Sequence, residues 1–176
     1  MTVINSRRFF LMALICSVLE PRLVLASQQN AAIEIVDKAV SKINQIINSR
    51  GDTQTQMLRS FERVFNVYAD VPTIAKYALG RDARTASEDQ LKAYIKAFSG
   101  YFSNKYGKRF REFIGGKIEI KSVVKVKNYY SVNTIAHMPA YEPFEVDFLV
   151  SDRSGQPLVF NLIIEGVNML LAERQE

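Results

Sequence analysis

The 176-residue sequence contains no tryptophan, one cysteine and one histidine. A lone cysteine excludes an internal disulfide, and with one histidine no Cys/His set with metal-ligand spacing can be assembled. The cysteine, Cys16, sits in an apolar stretch near the N-terminus. Ile15 before it is bulkier than the small residue that a lipid-modified cysteine needs. The histidine, His137, lies in a strand-like segment, where a single imidazole is more often structural or exposed than catalytic. No glycine-rich phosphate loop is present. Ser122–Lys125 (SVVK) matches Ser-x-x-Lys, yet that motif works from a helix start and here it falls in an alternating strand. Asp147 and Glu165 could face inward as a carboxylate pair, but alternation equally places them on the wet face. Nothing in this census supports a reaction, so the chain reads as a non-enzyme without cofactor.

Long hydrophobic runs are also scarce. The longest, Phe9–Leu19, has 11 residues, too short for a bilayer span but right for the core of an export signal. Arg7 and Arg8 precede it, Pro21 breaks it, and Val24-Leu25-Ala26 supplies small residues before a cut at Ser27. Residues 1–26 are therefore expected to be a cleaved signal peptide, with 27–176 as a single domain in the periplasm. Ser6–Leu11 (SRRFFL) resembles the twin-arginine signature, while two arginines equally suit the general secretory route. Removal of Arg7, Arg8, Arg22 and Glu20 leaves 20 basic against 17 acidic residues, a net charge of +3. That is too mild to favour nucleic acid as a partner.

What the chain does have is apolar bulk: 48% hydrophobic residues, 11 Phe and 8 Tyr. Residues 28–50 carry a 3.6-period stripe of Ile33, Val36, Val40, Ile43, Ile46 and Ile47. A second stripe over 54–69 uses Met57, Leu58, Phe61, Val64, Phe65 and Tyr68. A short helix over 71–79 (VPTIAKYAL) is framed by Asp70 as N-cap, Pro72 in its first turn and Gly80 as C-cap. It has hardly any wet face, which asks what covers its second side. Ser87 with Gln90 opens a fourth helix running to about Phe113, with a bend or split expected at Gly100 or Gly107. After Gly115-Gly116 the period changes to 2. In 117–128 the even residues Ile118, Ile120, Val124 and Val126 are apolar, and strands follow at 129–137, 144–151 and 158–165. Helices first and consecutive strands afterwards predict an α+β domain: N-terminal helices packed on a twisted antiparallel meander of about four strands, enclosing an apolar pocket.

The segment Tyr68–Gly107 (YADVPTIAKYALGRDARTASEDQLKAYIKAFSGYFSNKYG) resembles the signature region of the phospholipid-carrier family of the Mla (maintenance of lipid asymmetry) pathway, also known as the toluene-tolerance family. The matching elements are Asp70, Leu79-Gly80-Arg81, Thr85–Gln90 and the aromatic positions of 98–106. Near the C-terminus, Ile164–Val167 with a following Arg174 is similar to the family's Ile-Glu-Gly-Val element. The similarity spans roughly residues 30–176. It implies a monomeric periplasmic carrier that holds phospholipid acyl chains. Such a carrier docks transiently on an inner-membrane ABC transporter and on an outer-membrane lipoprotein/porin complex. Lining residues implied by apolar face and by position in the matching segments are Phe65, Ile74, Tyr77, Leu79, Phe98, Phe102, Phe148, Ile163 and Val167. Family members continue into a further helix after the arginine, so at Glu176 either that helix is missing or the pocket closes differently. Two other readings remain: an envelope adaptor with a solid core and no ligand, and a small cone-shaped enzyme with Asp147 or His137 as base.

Overall fold

The computed structural model describes residues 21–176; the expected export signal up to residue 20, with Cys16, lies outside them. Helix α1 (Pro21–Ile47) buries Ala32, Val36, Ala39, Val40, Ile46 and Ile47, the face the 3.6-residue period predicts. Thr53 and Gln56 form a capping box that starts α2 (Gln54–Tyr68). Asp70 caps α3 (Val71–Leu79), accepting the Thr73 N–H at 3.2 Å, and a 3₁₀ turn follows over Gly80–Arg84. At the start of α4 (Glu88–Gly107) the Gln90 amide donates to Ser87 Oγ and the Ser87 amide to Gln90 Oε1. The expected long fourth helix splits at Gly107, and its remainder, Lys108–Phe113, tightens into a 3₁₀ helix. Among the described residues no helix is long and apolar enough to cross a membrane.

The sheet is an antiparallel meander in chain order: β1 (Lys117–Val126), β2 (Tyr129–His137), β3 (Phe144–Ser151), β4 (Leu158–Ile164) and a two-residue β5 (Val167–Asn168). The β4–β5 turn uses Glu165 at φ 50° and Gly166 at φ 76°, left-handed at both central positions as a tight hairpin requires. A last helix, α5 (Met169–Gln175), completes the chain order and has no counterpart in the sequence reading. One face of the sheet, with Val132, Ala136, Val146, Phe148 and Val150, packs on α1 and α2 as the main core. A second cluster joins Phe65, Val71, Ile74, Ala75, Phe98 and Leu170. Helix α3 is thus enclosed by α4, α5 and β4, which answers what covers its second side. The junction before it is pinned where the Asp70 amide donates to Val159 O at 2.8 Å.

The strict alternation expected along β1 fails in its second half. A bulge between Ile120 and Ser122 shifts the phase, so Val123 pairs with Val132 and packs on the core while Val124 is 52% exposed. The bulge also breaks the open edge of the sheet, where Lys117, Lys121, Lys125 and Lys127 are all exposed. The start of that edge is met by α1: Asn44 Nδ2 donates to Ile118 O at 3.2 Å and Asn44 Oδ1 accepts the Ile118 amide at 3.0 Å. Asn48 Nδ2 donates to Gly116 O at 3.2 Å.

Gly116 is the tightest point of the turn into the sheet. A Cβ there would lie 2.9 Å from both His137 O and Phe113 O, and against the Met138 sulfur. Two of those neighbours are backbone and cannot step aside. Gly116→Ala is expected to destabilise the fold by about 1–3 kcal/mol, lowering the thermal midpoint by about 2–4 °C per kcal/mol. Calorimetry of the variant beside the parent checks this.

Candidate functional site

Between the two clusters lies a cavity of about 580 Å³, inside the ~300–1,000 Å³ range of ordinary ligand sites. Helix α1 contributes Ala39, Ile43 and Ile47; α2 contributes Phe61, Val64, Phe65 and Tyr68. Phe102 and Tyr106 project from α4, and Leu162, Ile164, Val146, Phe148 and Ala136 rise from the sheet. The aromatic walls are ordered by stacking: Phe65 and Phe102 lie 4.4 Å apart at 10° between planes, and Phe102 and Tyr106 lie 4.5 Å apart. Such walls attract chain-like apolar matter and offer no reactive group.

Polar side chains at the wall have partners elsewhere. Asn161 Oδ1 accepts the amides of Leu162 at 2.8 Å and Leu170 at 3.0 Å, while its Nδ2 donates to Asn168 Oδ1 at 3.0 Å. Glu173, whose side chain is 2% exposed, accepts from Lys105 Nζ at 2.8 Å and from the Tyr106 hydroxyl. Lys105 also donates to Glu176 at 2.6 Å, where the Tyr101 hydroxyl donates at 2.9 Å. With Asn161, Glu173 and Tyr106 engaged in this way, the wall offers bound water few partners.

The sequence-derived lining residues divide. Phe65, Ile74, Phe102, Phe148 and Val167 lie on the cavity wall. Tyr77 points outward under the Arg174 guanidinium, 5.0 Å from its ring centre. Leu79 is half-buried at the end of α3, and Phe98 is buried in the second cluster, a turn before the wall residue Phe102. Ile163 belongs to the outer face, opposite Asp147, because the strand phase turns Leu162 and Ile164 inward. The continuous apolar run of β4 hides that phase, since every residue in Leu162–Ile164 is a core type. Met169, Leu170 and Glu173 were missed with α5. A carboxylate at i+3 and i+4 from two apolar residues is the signal that could have found the last.

Residues offered as a catalytic base stand elsewhere. Asp147 accepts from Asn133 Nδ2 at 2.7 Å on the outer sheet face, and His137 is an exposed strand end 3.9 Å from Glu119. Neither lines the cavity. Glu165 is exposed in the β4–β5 turn, where Oε1 accepts the Glu145 amide at 2.6 Å. Among the described residues no three His, Cys, Asp or Glu side chains gather as a metal-binding group.

The Glu173 cluster has an electrostatic signature. Burial is the largest single influence on Lys105 and pulls it down, but hydrogen bonds to Glu173, Glu176 and Tyr101 outweigh it and hold the amine well above the ordinary lysine value. Burial, then the hydrogen bond to Glu173 and its charge, push the Tyr106 phenol well above the ordinary tyrosine value. Both groups keep their protons longer folded than unfolded. Their contribution to stability is therefore complete below about pH 10 and is lost as pH rises toward the folded values. The thermal midpoint is expected to fall steeply from about pH 10 upward. Tyr106→Phe should flatten part of that fall while costing about 1.5–3 kcal/mol at neutral pH, the range for a hydrogen bond to a charged group. Thermal melts of both proteins across this range check the sign.

The architecture recurs in a solved protein. The phospholipid-binding protein from Ralstonia solanacearum, determined in complex with a phospholipid at 1.53 Å, superposes with a TM-score of 0.69. The match has 17% identity over 82% of this chain and 83% of that one, which is a likeness of fold. No curated protein sequence matches the chain. The profile of the family described as MlaC protein matches residues 34–176, from the middle of α1 to the last residue, and the chain therefore belongs to the MlaC family.

Proposed function

We propose that this chain is a periplasmic phospholipid carrier. Acyl chains occupy the cavity, and the protein passes lipid between an outer-membrane complex and an inner-membrane ABC transporter, maintaining lipid asymmetry of the outer membrane. The observation that carries this reading is the cavity itself: about 580 Å³ of space walled chiefly by apolar side chains, with Asn161, Glu173 and Tyr106 already hydrogen-bonded. Burying a chain gains about 0.8 kcal/mol per methylene, so a dry cavity can compete with a bilayer without energy input at the carrier. Membership of the MlaC family supports the reading, as does the phospholipid bound by the Ralstonia protein of the same fold. The expected export signal over residues 1–26 supports the compartment.

Phe65, Ile74, Phe102, Phe148 and Val167 are the sequence-derived residues that would touch the acyl chains. A charged headgroup stays in water, because among the described residues no lysine or arginine lines the interior to receive it. The adaptor reading requires a solid core, against which the cavity stands. The enzyme reading requires Asp147 or His137 inside the cavity, and neither is there.

Mass spectrometry of an organic extract of the protein, purified from the periplasm without detergent, tests the proposal. Stoichiometric phospholipid is expected. An extract that stays clean even after incubation with liposomes would return the adaptor reading to first place. Ala39→Phe, which sends a ring into the cavity from α1, should lose most of the bound lipid while the protein remains folded by circular dichroism.

A further inference from the structure

Helix α5 forms one wall of the cavity. Helix α5 has seven residues, too few to hold together alone in water. Three of its residues, Met169, Leu170 and Glu173, belong to the cavity wall. Its backbone packs along α3, β4 and β5. Toward the C-terminal half of α4 the contacts are instead polar side chains: Lys105 to Glu173 and Glu176, Tyr106 to Glu173, and Tyr101 to Glu176. The Lys105 ammonium also sits over the rings of Tyr101 and Tyr106, 5.6 and 5.3 Å from their centres. A seam between α4 and α5 therefore runs along the cavity and is stapled by charge.

The wall between α4 and α5 differs from the others: its helix has seven residues, and it is held to α4 by side-chain hydrogen bonds and ion pairs. Such a wall parts without unpacking either core. We propose that the α4–α5 seam is the portal of the cavity, with Lys105, Glu173 and Tyr106 as its latch. This rests on the lipid-carrier reading.

The latch is built to fail sharply. Glu173 is tolerated in an apolar wall because Lys105 and Tyr106 satisfy it. When Lys105 lets go, a nearly buried carboxylate loses its counter-charge, and it regains solvation only by swinging outward with α5. The two ends of α5 differ in the same sense. At the N-terminal end Asn168 caps the helix and Asn161 holds the Leu170 amide, so that end is anchored as a hinge while the C-terminal end moves.

The test follows uptake of a fluorescent phospholipid from vesicles of phosphatidylethanolamine and phosphatidylglycerol, together with hydrogen exchange over residues 169–175. Lys105→Met keeps the apolar stem and removes the charge. It should raise exchange in α5 and speed both uptake and release by about ten-fold or more. Tyr106→Phe should act in the same direction more weakly. In the opposite sense, Tyr101→Cys with Glu176→Cys in a Cys16→Ser background, joined by a flexible bis-maleimide, ties the seam shut. The tether should slow uptake by about ten-fold or more. Uptake by the tethered protein at the parent rate overturns the portal. So does an unchanged rate in Lys105→Met or Tyr106→Phe when exchange shows α5 loosened. If Lys105→Met does not fold, the tether and Tyr106→Phe decide. A parent protein that takes up no lipid would instead sink the carrier reading, and the latch with it.

Discussion

An apolar cavity survives only when its walls are held apart by something stiffer than their mutual attraction. Here that is the presence of two separately packed cores with the cavity between them. The first seats α1 and α2 on the sheet; the second gathers α2, α3 and α4 and receives from α5 the single residue Leu170, at that helix's anchored end. Phe65 joins the second cluster and, with Phe102, forms part of the wall, so its ring belongs at once to packing and to the binding surface. Close-packed interiors resist collapse because their side chains already sit in good rotamers. A void bounded by two such interiors stays open without a rigid lining of its own.

That arrangement also explains where polar chemistry was placed. Buried polar groups are tolerated only with partners, and here they mark mechanical junctions. Asp70 caps α3 while its amide ties the α2–α3 turn to β4. Asn161 ties β4 to α5. Glu173 ties α5 to α4. Each stands where one layer must be fixed to the next and where an apolar contact would have left direction unspecified.

Much of this was legible in the sequence, and the gaps have physical causes. The caps at Asp70, Thr85–Gln90 and Gly80 could be read because a cap requires particular atoms at particular spacing. The class and the meander followed from the change of period after Gly116. Side-chain facing was harder. The bulge at Lys121 obeys no local pattern, so Val124 was assigned inward and Val123 was not. In β4 the uninterrupted apolar run gave no phase, and Ile163 was chosen where Leu162 and Ile164 line the cavity. Tyr77 misled because an aromatic on an apolar helix reads as wall, whereas Arg174, nearly a hundred residues on, draws it outward. Helix α5 escaped because seven residues carry barely two turns of pattern.

The margin of the sheet has a further consequence. One border ends in a two-residue strand followed at once by a helix, and the other is a ten-residue strand with backbone groups to spare. Asparagines from α1 occupy the first of those groups, an extra residue spoils the straight run, and lysines crowd what is left. A second molecule finds no flat template on which to add its own strand. Growth by strand addition at this edge is thereby disfavoured. What a neighbouring copy meets along that edge is a row of charged side chains, with Glu119 set between Lys117 and Lys121.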